Sequence, residues 1–225
     1  MSSLVTYRAD YLSNYQDHTY AHRYRSLVDR AADAEQALGL TGDDFARAVA
    51  LGYFKLLAYK DEYEVARLYS RPEFREALAE QFEGNFKVRL HMAPPLLSPR
   101  DPHTQLPLKR QFGGWILPFL RMLAPLKRLR GTAFDPFGYT AERKLERRLI
   151  AEYEVSIEHL LGHLSHHNRA IATEIAALPN SIRGFGHVKQ RNAEAAEQQR
   201  AALLARFNGA KAQVVNIVDP DAMRA

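Results

Sequence analysis

Residues Arg130–Glu154 read RGTAFDPFGYTAERKLERRLIAEYE, a loop of Gly, Thr, Phe and Pro that runs straight into a strongly charged helix. From Ala141 to Leu164, the residues Leu145, Leu149, Tyr153, Ile157, Leu160 and Leu164 recur every three or four positions and trace one apolar stripe, the period of an amphipathic helix. Thr140 is placed to cap it, and Glu142 stands in its first turn, where a negative charge meets the positive end of the helix dipole. Capping needs no more than these two residues, so Gly131, Phe134, Asp135, Pro136, Phe137 and Gly138 want another explanation. Two phenylalanines around Asp-Pro can plug the loop into a core, with Asp135 tying the turn and Gly138 allowing a positive backbone angle. Alternatively, Asp135, Phe137 and Tyr139 shape a surface that a partner touches.

Helical periodicity extends to both sides. Tyr20, Tyr24, Leu27, Ala31, Ala34 and Leu38 predict a helix over Asp17–Leu38 that Gly39 ends. Phe45, Val49, Leu56 and Tyr63 predict a second over Asp44–Tyr69. Ser70 and Glu73 then fit a capping box around Pro72, opening a third helix that carries Phe74, Leu78 and Phe82 inward until Gly84. The period changes in Phe86–Met92, where Phe86, Val88, Leu90 and Met92 alternate with Lys87, Arg89 and His91 as in a half-buried strand. The proline-rich segment that follows suggests a hairpin with its tip at Asp101–Pro107 and its return limb at Leu108–Phe112. Trp115–Arg130 reads as one proline-broken core helix, with basic residues at its C-terminal end; an interfacial membrane helix would show a longer polar face. Ser165 can cap a short helix bearing Ile171, Ile175 and Leu178, and a last helix runs from Ile182 towards Phe207. From Asn208 a frayed tail is expected, with QVVNIV able to add a strand. The expected fold is mainly α: a multi-helix, bundle-like single domain over residues 1–207 with a small β-ribbon at about 86–112, and a tail over 208–225.

Hydrophobic residues make up 46% of the chain and charged residues 25%, which lies outside the composition of disordered chains. The absence of cysteine excludes disulfides, thiolate zinc sites, cysteine-held iron–sulfur clusters and a cysteine nucleophile, and points to reducing cytoplasm. No window offers the ~18 uncharged apolar residues of a membrane span, and the first residues lack a signal-peptide core. The net charge of +5 comes from 31 basic residues interleaved with 26 acidic ones, too even a mixture to mark a nucleic-acid binder.

Three constellations could carry chemistry. His159, His163, His166 and His167 are spaced for one helical face, but Ser165 breaks the helix between them, so no metal is expected. Asp61 and Glu64 could do acid–base work if buried, although Lys60, Glu64 and Arg67 fit a solvated ion-pair ladder better. In Ile182–Arg191, Gly184 and Gly186 open a helix beside Arg183, His187 and Lys189, a setting for an anion or for close helix packing. There is no nucleophile elbow, nucleotide-binding glycine motif or acidic metal motif, so no catalytic residue is assigned.

Four ordered blocks, KLLAYKDEYEVARLY (55–69), QFEGNFKVRLHMAPPLL (81–97), GTAFDPFGYTAERKLERRLIAEYE (131–154) and IRGFGHVKQRN (182–192), resemble the C-terminal region of the large fused bacterial indolepyruvate ferredoxin oxidoreductases. The likeness runs from about Tyr11 to Phe207, with one departure: Gln105 replaces the turn glycine of a DPxTGxP pattern. The resemblance implies an enzyme that decarboxylates aryl 2-oxoacids, forms acyl-CoA and reduces ferredoxin, with its thiamine diphosphate, magnesium and 4Fe-4S clusters in other domains. This chain is then an accessory domain without the catalytic centre, docking on those domains or across a homodimer. The rival expectations are a free-standing basic module that binds nucleic acid or another polyanion through Lys109, Arg110, Lys127, Arg128 and Arg130, and an enzyme with its own small-molecule pocket.

Overall fold

The computed structural model describes residues 1–39, 42–84, 86–92 and 108–215, with side chains to residue 209. In chain order the elements are α1 (Ser2–Tyr15), α2 (His18–Ala37), α3 (Asp44–Leu57), α4 (Glu62–Ser70), α5 (Pro72–Gln81), β1 (Arg89–Met92), β2 (Arg110–Gly113), α6 (Ile116–Leu123), a 3-10 turn (Ala124–Leu129), α7 (Ala141–Leu161), α8 (Arg169–Ala177), a second 3-10 turn (Leu178–Ser181) and α9 (Gly186–Val215). The chain is mainly α-helical with one two-stranded antiparallel ribbon among the described residues. No described helix is long and apolar enough to cross a membrane. The chain divides into two compact units, one formed by Met1–Ala58 with Leu145–Ala225, the other by Tyr59–Lys144.

In the first unit α3 is the centre. Phe45, Val49, Tyr53, Leu56 and Leu57 are all buried, as are the alanines between them, and α3 packs on α1, α2 and α8. Gly52 makes this possible: a Cβ there would stand 2.4 Å from the backbone oxygen of Ala176, so α3 meets α8 backbone to backbone. The rings of Tyr24, Tyr53 and Tyr153 stack in sequence across the helices, with centroids 6.1 and 5.8 Å apart. Their hydroxyls do not go unmet in this core: Tyr24 donates to Ala50 O, Tyr153 to Ala176 O and Tyr53 to the Glu154 carboxylate, which also holds Arg23. Burial raises the Tyr24 hydroxyl to about 12 and also pushes Tyr53 and Tyr153 well above the ordinary tyrosine range, so all three stay neutral donors. The α7 stripe is as expected at Leu149, Tyr153, Ile157 and Leu160, all buried. The helix stops at Leu161, three residues early, and Leu164 lies in the loop beyond it.

The second unit packs Ala66 of α4, Leu90 of β1 and Ile116 and Leu120 of α6 into a small core, flanked by Tyr69, Val88, Met92 and Phe112. In the ribbon Leu90 faces Phe112 and Met92 faces Arg110; the expected in–out alternation holds over Arg89–Met92, but the strand does not reach back to Phe86, which is exposed. The expected hairpin tip, including Gln105, lies outside the described residues.

Several local expectations are corrected. The helix read through Asp44–Tyr69 is two helices, because Asp61 caps α4: its Oδ1 accepts the Glu64 amide at 2.8 Å, ending the first run at Leu57. Ser70 and Glu73 form no capping box; Ser70 still belongs to α4 and donates to Ala66 O, and Pro72 alone opens α5. That helix buries nothing fully, with Phe74 and Leu78 half-buried and Phe82 exposed. Ser165 is no cap either: its amide donates to Asn168, which precedes α8. Beyond Asn208, α9 continues to Val215, so the start of QVVNIV is helical and its remainder lies outside the described residues.

Candidate functional site

Arg130 leaves the 3-10 turn and points into the second unit, where its Nε donates to Asp61 Oδ2 at 2.6 Å and its Nη2 to Oδ1 at 2.9 Å. Its guanidinium also lies over the Tyr63 ring, 5.6 Å from the centroid. Gly131 follows at φ +75°, a left-handed turn open to glycine, and sends the chain back so that its amide donates to Asp135 Oδ2 at 3.0 Å. Asp135 is buried and serves as the hub of the loop: its Oδ1 accepts the Phe137 amide and the Tyr63 hydroxyl, each at 3.1 Å. The Asp135 charge joins burial, the larger cause, in raising the Tyr63 hydroxyl well above its ordinary range. Phe137 is half-buried with its ring edge-on to Tyr63 at 5.3 Å.

The plug is therefore Asp135 and one phenylalanine. Phe134 is exposed and anchors nothing. Gly138 does not adopt a positive φ; the glycine is needed because a Cβ would stand 2.9 Å from Asp135 Oδ2. Tyr139 stays largely exposed, its hydroxyl donating to Ala133 O at 2.8 Å, which stiffens the loop from outside. Thr140 caps α7 as expected, through the Arg143 amide.

Asp61 and Glu64 are both buried, which corrects the solvated ladder. Asp61 is held by Arg130, and Glu64 takes a two-pronged pair from Arg67 with both contacts at 2.7 Å. Next to them Glu62 has an oxygen, Oε2, that is buried without a hydrogen-bond partner, with the Arg143 Nε 4.0 Å away. Burial raises the Glu62 pKa, and the Arg143 charge only partly opposes it.

The helix start near Arg183 is assembled differently. Lys189 donates to both carboxylate oxygens of Glu146 at 2.6 Å, so its charge is already neutralised. Gly184, at φ +93°, forms the turn and leaves room for Val188, whose Cγ1 would lie 2.8 Å from an added Cβ. Gly186 is the first residue of α9. Arg183 and His187 remain exposed, Arg183 donating from Nε to Asn180 O. The histidines serve neighbours: His159 Nε2 pairs with Asn208, and His163 Nδ1 with the His159 carbonyl. No group of metal-ligating side chains occurs among the described residues. A cleft lined by Leu149, Tyr153, Ile175, Leu178, Ile182 and Arg200 offers about 40 Å³, far below the ~300 Å³ at which ligand pockets begin.

The structure thus joins two separate stretches of sequence, Asp61–Arg67 and Arg130–Phe137, into one buried polar brace, while Arg183–Lys189 belongs to the other unit. A family model for proteins of unknown function, DUF6537, matches residues 1–202. The chain belongs to that family. No curated protein and no solved structure matches it.

Sequence reasoning singled out Asp135 and Phe137 but missed Tyr63 as their partner and Arg130 as the partner of Asp61. The signal available was DEYE, an acidic residue three before Glu64, which marks a helix start rather than a ladder. Also missed was Glu35, buried on α2, whose two oxygens accept the Phe45 and Ala46 amides at the start of α3 and which holds Arg169 at 2.6 Å.

Proposed function

We propose that this chain is the accessory C-terminal domain of an indolepyruvate ferredoxin oxidoreductase, docking to the thiamine diphosphate and iron–sulfur catalytic domains or across a dimer in the cytoplasm. In this reading the aryl 2-oxoacid, the thiamine diphosphate with its magnesium and the 4Fe-4S clusters are all handled elsewhere in the enzyme. The observation that supports it most is the brace itself. Two of the four sequence blocks that carry the resemblance meet there, and each charge has its own partner: Asp61 with Arg130, Glu64 with Arg67, and Asp135 with the Tyr63 hydroxyl and the Gly131 amide. A scaffold needs such pairing, whereas a catalytic acid or base needs access to a substrate. The same pairing weakens the polyanion reading, because Arg130 is engaged inside the unit with Asp61.

The test is indolepyruvate-dependent ferredoxin reduction by the catalytic domains, with and without this chain. The proposal expects the chain to bind and to change the rate. Equal rates together with no complex would refute it, and salt-steep binding to duplex DNA would favour the polyanion alternative.

A further inference from the structure

Four exposed large apolar side chains fall within the short stretch from Trp115 to Leu126: Trp115 is 68% exposed, Phe119 54%, Met122 75% and Leu126 47%. Their spacings of four, three and four follow a helix face along α6 and its 3-10 continuation. The other face of α6, Ile116 and Leu120, is already buried in the unit's core together with Leu117, Leu123 and Ala124. The element is therefore apolar on two sides and covered on one, which corrects the expectation of a wholly buried core helix. Exposed Pro118 and Pro125 extend the patch. Arg121 and Arg128 are exposed beside it, Lys127 is half-buried, and no acidic residue occurs between Lys109 and Phe134. Trp115 is also held in place: Phe112 packs against it at 6.0 Å, and Gly113 leaves room for its ring, which a Cβ there would approach to 3.3 Å.

We propose that this face is a docking surface for a protein partner that presents an apolar groove rimmed by carboxylates. Resting on the reading above, that partner is a face of the catalytic domains. Charge chooses the occupant. A second copy of this face would bring cations against cations, which disfavours self-pairing. A helix that lies on a lipid surface sets its Trp, Phe and Leu opposite a long polar face rich in Lys and Arg, which α6 lacks because its other side, Ile116 and Leu120, is buried in the unit's core; Trp, Phe, Met and Arg are the side chains enriched at protein interfaces. A tryptophan already fixed by its neighbours loses little freedom on binding, as an anchor should.

The experiment titrates the full chain with the catalytic domains at low and high salt. Trp115→Ser and Phe119→Ser are each expected to weaken binding about 30-fold, the loss typical of an aromatic anchor. Both replaced side chains are exposed, so circular dichroism and thermal melting should stay as in the parent chain. Val155→Ser, at an exposed position of α7 outside the patch, should leave binding unchanged. Arg121→Glu with Arg128→Glu should weaken binding at low salt and flatten its salt dependence. A complex that tolerates Trp115→Ser and Phe119→Ser would overturn this inference and leave the docking role standing; no complex at all would overturn both. Binding to vesicles of equal phosphatidylglycerol and phosphatidylcholine, or self-association, that is abolished by Trp115→Ser would overturn the choice of a carboxylate-rimmed protein partner.

Discussion

Replacing Arg130 by Ala removes one half of an ion pair whose side chains are 3% and 2% exposed, with both contacts short and parallel. Breaking such a buried pair from one side costs about 3–5 kcal/mol, because the remaining carboxylate keeps its desolvation penalty without its partner. Asp61→Ala should cost roughly 1 kcal/mol more, since Asp61 also caps α4 through the Glu64 amide. Asp61→Asn combined with Arg130→Met removes both charges, keeps an acceptor for the cap, and should recover most of the loss. The assay is urea unfolding followed by far-ultraviolet circular dichroism, with the m-value checked in each variant. A chain of two compact units need not unfold in one step, so the sole tryptophan, Trp115, which lies in the same unit as the pair, supplies a second probe by fluorescence. Losses below ~1 kcal/mol for both single variants, as for an exposed pair, or a double variant that loses the sum of the two, would refute the brace as described.

Gly52→Ala should destabilise the first unit by about 1–3 kcal/mol in the same assay through overpacking against Ala176 O, although Ala is the better helix former; a gain in stability would contradict the close approach. Glu35→Ala, which uncaps α3 and removes the carboxylate that holds Arg169, should cost roughly 3–5 kcal/mol, and Glu35→Gln, which keeps one acceptor, clearly less. Glu62 binds its proton more tightly in the folded chain than in the unfolded one, so its contribution is full below the ordinary carboxylate range and is lost as pH rises through the raised folded value. The stability of Glu62→Gln relative to the parent should therefore increase between pH 4 and pH 7, measured by urea midpoints; a flat or falling difference would contradict the raised pKa.

The parts of the fold legible in the sequence are those governed by local period. The α7 stripe, the alternation of β1 and the Thr140 cap each follow from neighbours a few residues apart. The α3–α4 break was hidden because Leu56 and Tyr63 keep a helical period across it, while the cap at Asp61 resembled a surface charge. α1 buries Val5, Ala9, Leu12 and Tyr15, a face partly of small residues that gives little contrast in a sequence. The brace was legible in half: the composition of the loop marked Asp135 and Phe137 as special, yet their partners stand far off in sequence. Arg130 pairs with a residue 69 positions away and Arg169 with one 134 away, distances at which only the folded core selects the partner. A row of charges such as Lys60–Arg67 carries no local sign of burial and so has the pattern of a solvated face.

Association with the catalytic domains is the central claim. The most direct measurement is the affinity of the full chain for the isolated thiamine diphosphate and iron–sulfur catalytic domains, read by calorimetry at two salt concentrations. It predicts a stoichiometric complex that weakens with salt; heats no greater than dilution, at chain concentrations where circular dichroism shows it folded, would contradict it.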